Sequence, residues 1–457
     1  MNSQRIPWRS HYALALLTLI YSFQFIDRQI MAVLLEPIRT EFRASDTAMG
    51  LVSGFAFAVF YATVGVPLAR LADRMARTTL LAACCATWSG FTALCGTAKS
   101  LAELMAARVG VAAGEAGCTP LAISLIADLY PRARRSFAMS VYGLGPNLGL
   151  IAGLSAGGWI AQHHGWRTAF VSLGLPGLAL ALLMWLMKEP PRGAWDGGSD
   201  AGTARARPGG GAEAAVRGDA VSALAVLSRL LRRPVIVLLL AGASGAGFVG
   251  YGFGAWNVSF LVRCHGLTLQ QAGLLAGLVS GVGALIGTPV SGALCDRFAR
   301  RDEAWQMWLP ALGLAASMLG GLLYCLWPGG TAFMIGTTPV PTALLFSIPF
   351  GFFAPWWIAP VYAGIANLTE PGERTLASAL LVLTIVLLGG GAGPLFTGLA
   401  SDALASIGSA EALRRALVLT LLMTVVPVAA FLAAGRRYRA ALAPQPVAVL
   451  SDASAGP

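Results

Sequence analysis

Ala69-Arg-Leu-Ala-Asp73-Arg74-Met-Ala-Arg77 and Gly292-Ala-Leu-Cys-Asp296-Arg297-Phe-Ala-Arg300-Arg301 are two copies of one basic turn, written in the same direction. Each follows the second apolar run of its half of the chain. A second pair joins Asp128-Leu-Tyr-Pro-Arg-Ala-Arg-Arg135-Ser to Asn367-Leu-Thr-Glu-Pro-Gly-Glu-Arg374-Thr, each leading into a glycine-rich run, and Gly145-Pro146 recurs as Gly393-Pro394. Parallel repeats of this size imply two bundles related by an axis along the membrane normal, with a cavity between them. The composition agrees: of 457 residues 56% are apolar and 12% charged, whereas a soluble domain carries about 25% charge. The apolar residues arrive in runs long enough to cross a bilayer as helices. Soluble enzymes and disordered scaffolds are excluded.

Hydropathy places twelve spans at 11–35, 48–72, 79–98, 100–126, 136–160, 166–187, 234–262, 271–294, 306–327, 338–364, 376–401 and 413–434. The expected organisation is an all-α membrane protein: an N-terminal six-helix bundle (1–187), a cytoplasmic linker (188–233), a C-terminal six-helix bundle (234–440) and a flexible tail (441–457). The linker core, Gly193 to Asp219, is too poor in bulky apolar residues to offset its ordering entropy. Val221 to Arg232 alternates apolar and basic residues like a helix lying on a membrane surface. The net charge of +11 forms no nucleic-acid patch. With both termini inside, most of the 32 basic residues fall on the cytoplasmic side. Arg39, Arg43, Lys99, Arg167, Arg263, Arg414 and Arg415 fall outside, and Arg28 and Arg108 lie within spans, so the charge sets orientation. The expected location is a cell membrane, the bacterial inner membrane. The first apolar run is too long for a signal-peptide core and stays as a span. The seven cysteines have no metal-ligand spacing and serve as small apolar filler.

Asp27 and Arg28 sit inside the first span, where a charge costs at least about 2.5–3.5 kcal/mol unless it meets a partner or a wet cavity. On the fourth span Arg108 and Glu115 are two turns apart and share a face. At ~1.5 Å per residue from the cytoplasmic end, Asp27 lies roughly 24 Å deep, Arg108 roughly 27 Å and Glu115 roughly 17 Å. Two readings follow. Ion pairs, Asp27 with Arg108 and Arg28 with Glu115, could simply brace the bundle. Alternatively the carboxylates carry a proton, Asp27 first and Glu115 second, while Arg28 and Arg108 offer planar forks to a phosphate or carboxylate. The C-terminal spans carry no interior charge. They offer Tyr251, Phe253, Trp256 and Asn257 on the seventh span and Phe350, Phe352, Phe353, Trp356 and Trp357 on the tenth, which read either as bundle packing or as an apolar substrate wall. The turns Asp73, Arg74, Arg77 and Asp296, Arg297, Arg300 read as gates that pair in one state and release in another. His163 and His164 lack a third metal ligand and are solvated.

The two basic turns make the chain resemble the major facilitator superfamily, whose best-known loop motif is Asp-Arg-x-x-Arg after span two; Ala69, Ala76 and Ala299 stand where that pattern has glycine. Phe25-Ile-Asp27-Arg28-Gln29 with Gly114-Glu115-Ala-Gly117 looks like the spinster branch, which moves lysophospholipids and sphingoid phosphates. The resemblance implies twelve helices around a central cavity lined by the first and fourth spans. It also implies a secondary transporter of an amphiphilic anion working by alternating access and coupled or sensitive to protons. Expected partners are a small amphiphilic or anionic substrate, protons and membrane lipids, with no nucleic acid; the chain is expected to be a monomer without cofactor. An enzyme is excluded for want of a nucleophile with its base, a metal cluster or a phosphate loop. A carrier of a small organic anion or drug, and an uncoupled lipid scramblase or receptor-like protein, remain as alternatives.

Overall fold

A computed structural model describes residues 6–192, 225–336, 338–370 and 373–442. Apolar runs with polar caps become the twelve helices: α1 (Trp8–Phe42), α2 (46–74), α3 (Arg77–Cys95), α4 (Leu101–Leu129), α5 (132–164), α6 (166–185), α7 (Pro234–His265), α8 (Leu269–Ala299), α9 (Trp305–Leu326), α10 (Leu344–Leu368), α11 (374–403) and α12 (Ser409–Leu442). Ten stretches are long and apolar enough to cross a membrane. One of these holds both α5 and α6, which part at Gly165 (φ 82°). Helix α1, which carries Asp27 and Arg28, completes the set of twelve among the described residues. The linker core and the tail beyond Leu442 lie outside the described residues.

Caps fix where helices begin. Ser45 Oγ accepts the Ala48 amide at α2 and Ser100 Oγ the Glu103 amide at α4, while Thr268 and Gln271 form a capping box at α8. At the opposite ends, Arg135 Nε donates to the carbonyls eight and five residues before it, Ala127 and Tyr130, at 2.9 and 3.2 Å. Arg374 Nε does the same to Ala366 and Thr369 at 3.1 and 3.4 Å. The repeat read from the sequence therefore extends to individual hydrogen bonds.

Two elements differ from expectation. Span ten begins at Leu344, because Thr331–Ile335 and Thr338–Pro341 pair as an antiparallel hairpin, β1–β2; β-branched residues and prolines favour extended backbone over a helix start. The basic segment before α7 is helical over 225–231 and docks on the protein. Leu230 is fully buried among Val235, Ile236 and Leu239, and Arg229 Nη1 reaches Glu373 Oε1 at 3.0 Å. Glu373, itself buried, supplies the counter-charge that a membrane surface would otherwise provide.

Six helices on each side form the two bundles. Every hydrogen bond or ion pair between them, among the described residues, lies at the face opposite the start of α1, here the far face. Helices α2 and α11 also cross there, each through a π turn, Leu51–Phe55 and Ile385–Gly391. They approach so closely that a Cβ on Gly54 would stand 2.7 Å from the Gly390 carbonyl oxygen.

Candidate functional site

The charges of α1 are held where they are by the glycines of α5. A Cβ on Gly149 would lie 2.4 Å from the Ser22 carbonyl, so only a bare backbone lets α1 settle into α5. The opposite face of α1 then meets α3 and α4. There the four interior charges sort into two layers. In the first, Asp27 accepts from Thr92 Oγ1 at 2.6 Å and from Arg108 Nη1 at 3.3 Å, with both charged side chains at most 3% exposed. In the second, Arg28 Nε donates to Glu115 Oε2 at 2.6 Å, and Gln24 Nε2 donates to the same oxygen and to the Glu115 carbonyl, each at 3.3 Å. Glu115 is fully buried, while 20% of the Arg28 side chain is exposed.

That exposure separates the layers chemically. The Asp27–Arg108 pair is sealed inside the N-terminal bundle, whereas Glu115 stands beneath an arginine whose side chain is partly exposed. Aromatic rings frame this arginine, with Phe25, Phe57 and Tyr61 centroids 5.5, 5.3 and 5.0 Å from its Cζ. The Phe57 ring is also 5.3 Å from Arg108 Cζ and so partitions the layers. Tyr61 and Tyr251 lie within electrostatic range of Arg28, and Tyr21, Tyr61 and Tyr251 within range of Tyr362. Tyr251 and Tyr362, on α7 and α10, are 44% and 41% exposed. Gln24, Phe57, Tyr61, Thr92 and Tyr362 were not singled out by the sequence reading. Tyr61 follows Phe57 by one helical turn, which was the available signal.

Most of the expected aromatic wall is packing. Trp256 is fully buried, donates from Nε1 to the Pro394 carbonyl at 3.0 Å and carries Arg263 over its ring at 5.8 Å. Asn257 accepts from the Tyr324 hydroxyl at 2.7 Å inside the C-terminal bundle. Phe253 and Phe350 pack together with centroids 4.3 Å apart. Trp356 is buried against Phe352 and Phe353, and Trp357 is half-buried beside the cluster of Leu239 and Met307. An indole packs its large apolar area into a bundle before it lines a wet cleft. Of the residues expected on this wall, Tyr251 is the exposed one.

The basic turns also separate. Arg77 is buried and bonds within its own half: Nη1 to Asp128 Oδ2 at 2.5 Å and to Ser124 Oγ at 2.8 Å, Nε to Glu189 Oε1 at 2.8 Å. The other Glu189 oxygen accepts the Thr78 amide at 2.9 Å. Burial pushes the Glu189 carboxyl up, but the Thr78 and Arg77 hydrogen bonds outweigh it and hold it below the usual carboxylate range. Arg74 is exposed, and the side chain of Asp73 lies outside the described residues. Asp296, Arg297 and Arg300 are exposed and make no hydrogen bond or ion pair among the described residues. At the place of the Arg77 brace the C-terminal half has a neutral one, in which Gln306 Oε1 accepts from Tyr438 and Asn367, both at 3.2 Å. Among the described residues neither turn makes a hydrogen bond or ion pair between the two halves.

The contact that does join them is at the far face. Arg263 grips Asp46 with both Nη atoms at 2.8 and 2.9 Å and Glu36 through Nε at 2.7 Å, and Ser401 donates to Asp46 at 2.6 Å. The Asp402 carboxylate receives the Asp46 and Thr47 amides at 3.0 and 2.8 Å, capping α2 from the other half. The sequence reading had placed Arg263 only as a topological charge.

Two six-helix bundles joined at one face, with a buried acid under a partly exposed arginine, are the architecture of a membrane carrier. The chain belongs to the Major Facilitator Superfamily, whose family model matches residues 17–394. It is 32% identical to an MFS-type efflux pump of Mycolicibacterium smegmatis over 95% of this chain and 94% of that protein. It is 26% identical to the human protein spinster homolog 1 over 87% of this chain and 74% of that one. Among solved structures it is similar to a bacterial homolog of the human lysosomal transporter Spinster, in an inward-facing and unoccupied conformation; the TM-score is 0.80 and the identity 30%, covering 96% of this chain and 99% of that one. It is therefore a spinster-like secondary transporter, not an enzyme.

Proposed function

We propose that the protein carries an amphiphilic anion, of the lysophospholipid or sphingoid-phosphate kind, across a bacterial inner membrane together with a proton. Both termini are cytoplasmic in this reading, as the basic loops require, so the clamped far face is the outer one and the cleft faces inward. One observation carries it: Arg28 presents a partly exposed guanidinium to the cleft while its other side is held by buried Glu115. When Glu115 is ionised it neutralises Arg28. A proton on Glu115 leaves the guanidinium free to take a phosphate or carboxylate, so proton and anion favour each other's binding. The opposite wall carries no charge, which suits an apolar chain. Arg108, expected to share the headgroup, instead holds Asp27 and supports the site from behind. One chain is enough for this reading, since both walls come from its two halves.

The exposed residues Tyr251 and Tyr362, which carry hydroxyls, favour a second reading, a small organic anion held by hydrogen bonds. Proteoliposome uptake of a homologous series of alkyl phosphates, with and without an imposed pH gradient, separates the possibilities. Uptake that rises with chain length and with inward proton flow supports the amphiphile. Uptake favouring the shortest member supports the small anion, and flux indifferent to the gradient supports an uncoupled scramblase.

A further inference from the structure

A cavity of about 400 Å³ lies between α2 and α4; its lining comes from the N-terminal half and includes none of the residues that surround Arg28. Its inner wall is Gly65, Leu68, Ala116 and Gly117; its mouth is polar, with Arg77, Ser124, Asp128 and Arg192. Phe57, Tyr61, Gly65 and Leu68 follow one another at helical spacing on a single face of α2. The cavity thus continues the seam on which Phe57 and Tyr61 face Arg28. Across it α4 is interrupted, one helical segment ending at Glu115 and the next starting at Cys118.

Pro120 has no N–H to offer the Ala116 carbonyl. That oxygen looks into the cavity, since a Cβ on Gly65 would stand 3.9 Å from it. Without its i+4 donor, a carbonyl at membrane depth turns to an i+3 amide, to protein or to water, and the polar mouth admits water. Next to it along the chain, Glu115 Oε1 is buried without a hydrogen-bond partner.

We propose that the α2–α4 cavity is a water-filled path that delivers protons to Glu115 from the face carrying Arg77 and Asp128, independently of the substrate cleft. The inference rests on Glu115 as the proton-binding group. The groups facing that carboxyl are Asp27, Arg28 and Gln24 from α1, Tyr61 from α2, and Arg108 and Cys118 from α4, with Cys84 of α3 beside Cys118 and Tyr251 across the cleft beside Arg28. Helices α2 and α4 belong to one half and move together, so this path stays open when an anion covers Arg28 and when the cleft changes sides. It lets protonation precede or follow substrate binding.

The test uses the full chain in lipid nanodiscs. The carboxyl stretch of protonated Glu115, identified as the infrared band missing in Glu115→Gln, is followed after rapid transfer from H2O to D2O. Gly65→Leu fills the cavity without meeting either site, and Leu121→Trp fills it from the other wall. Both are expected to slow deuteration of the band by an order of magnitude while leaving its pH midpoint in place. Deuteration at the parent rate in both variants overturns the path and leaves the proton role of Glu115 standing. Absence of any titrating band lost in Glu115→Gln overturns the proton role and the path with it.

Discussion

At the scale of single residues, the two carboxylates of the N-terminal half have opposite expected fates on substitution. Glu115→Gln keeps the shape and removes the titratable group, so transport in proteoliposomes should lose its response to a pH gradient while the protein unfolds near the parent temperature. Asp27→Asn leaves the enclosed Arg108 charge without its counter-ion, and breaking such a pair costs about 3–5 kcal/mol. Thermal unfolding in detergent should show that loss directly, and a parent-like melting temperature would sink the sealed-pair reading. Arg28→Ala removes the charged donor facing the cleft, worth about 1.5–3 kcal/mol, and should weaken an alkyl phosphate roughly tenfold or more by calorimetry. The sequence showed that these four charges needed partners, because membrane depth alone makes an unpaired charge costly. It could not show that Phe57 divides them, since which ring fills the gap between layers depends on how α2 leans on α4.

At the scale of elements, the brace at the start of α3 is ionic. The Glu189 carboxyl is held below its ordinary range, so its contribution to stability is present at neutral pH and is lost as the pH falls through the depressed value. Unfolding temperature against pH should therefore drop for the parent at acid pH, and Glu189→Gln should flatten that drop. The corresponding Gln306–Asn367–Tyr438 cluster has no such charge. The far-face clamp is the counterpart between halves. Arg263→Ala leaves Asp46 and Glu36 without their guanidinium, and spin-label distances between the far ends of α1 and α7 should lengthen and broaden. Unchanged distances would assign the closure to helix packing alone. The repeat of basic turns was legible in the sequence, yet its functional weight was not: spacing reports that the two turns are alike, whereas the burial of Arg77 and the exposure of Arg297 and Arg300 are set by what α4 and the chain after α6 bring to them.

At the scale of the whole molecule, Trp256 and Trp356 are buried in the C-terminal bundle, because an indole fills a bundle more readily than a wet cleft. The charge asymmetry between halves stands as read, with all buried ion pairs around the cleft on one side. If the ligand has a long chain, each further methylene contributes about 0.8 kcal/mol until the uncharged wall is covered. Affinity should then rise several-fold per carbon, and Tyr251→Ala should alter long and short members differently. One further consequence comes from the π turns where α2 and α11 cross. A π turn holds one residue more than the α turn it replaces, so each marks a place where a residue could be removed without rotating the helix beyond it. Deleting Val52 is expected to keep Phe57 and Tyr61 facing α4, whereas a deletion one turn later would swing that face by about 100°. Single-residue deletions found at this crossing would thus be silent in the register of the site and visible only in how the two halves rock.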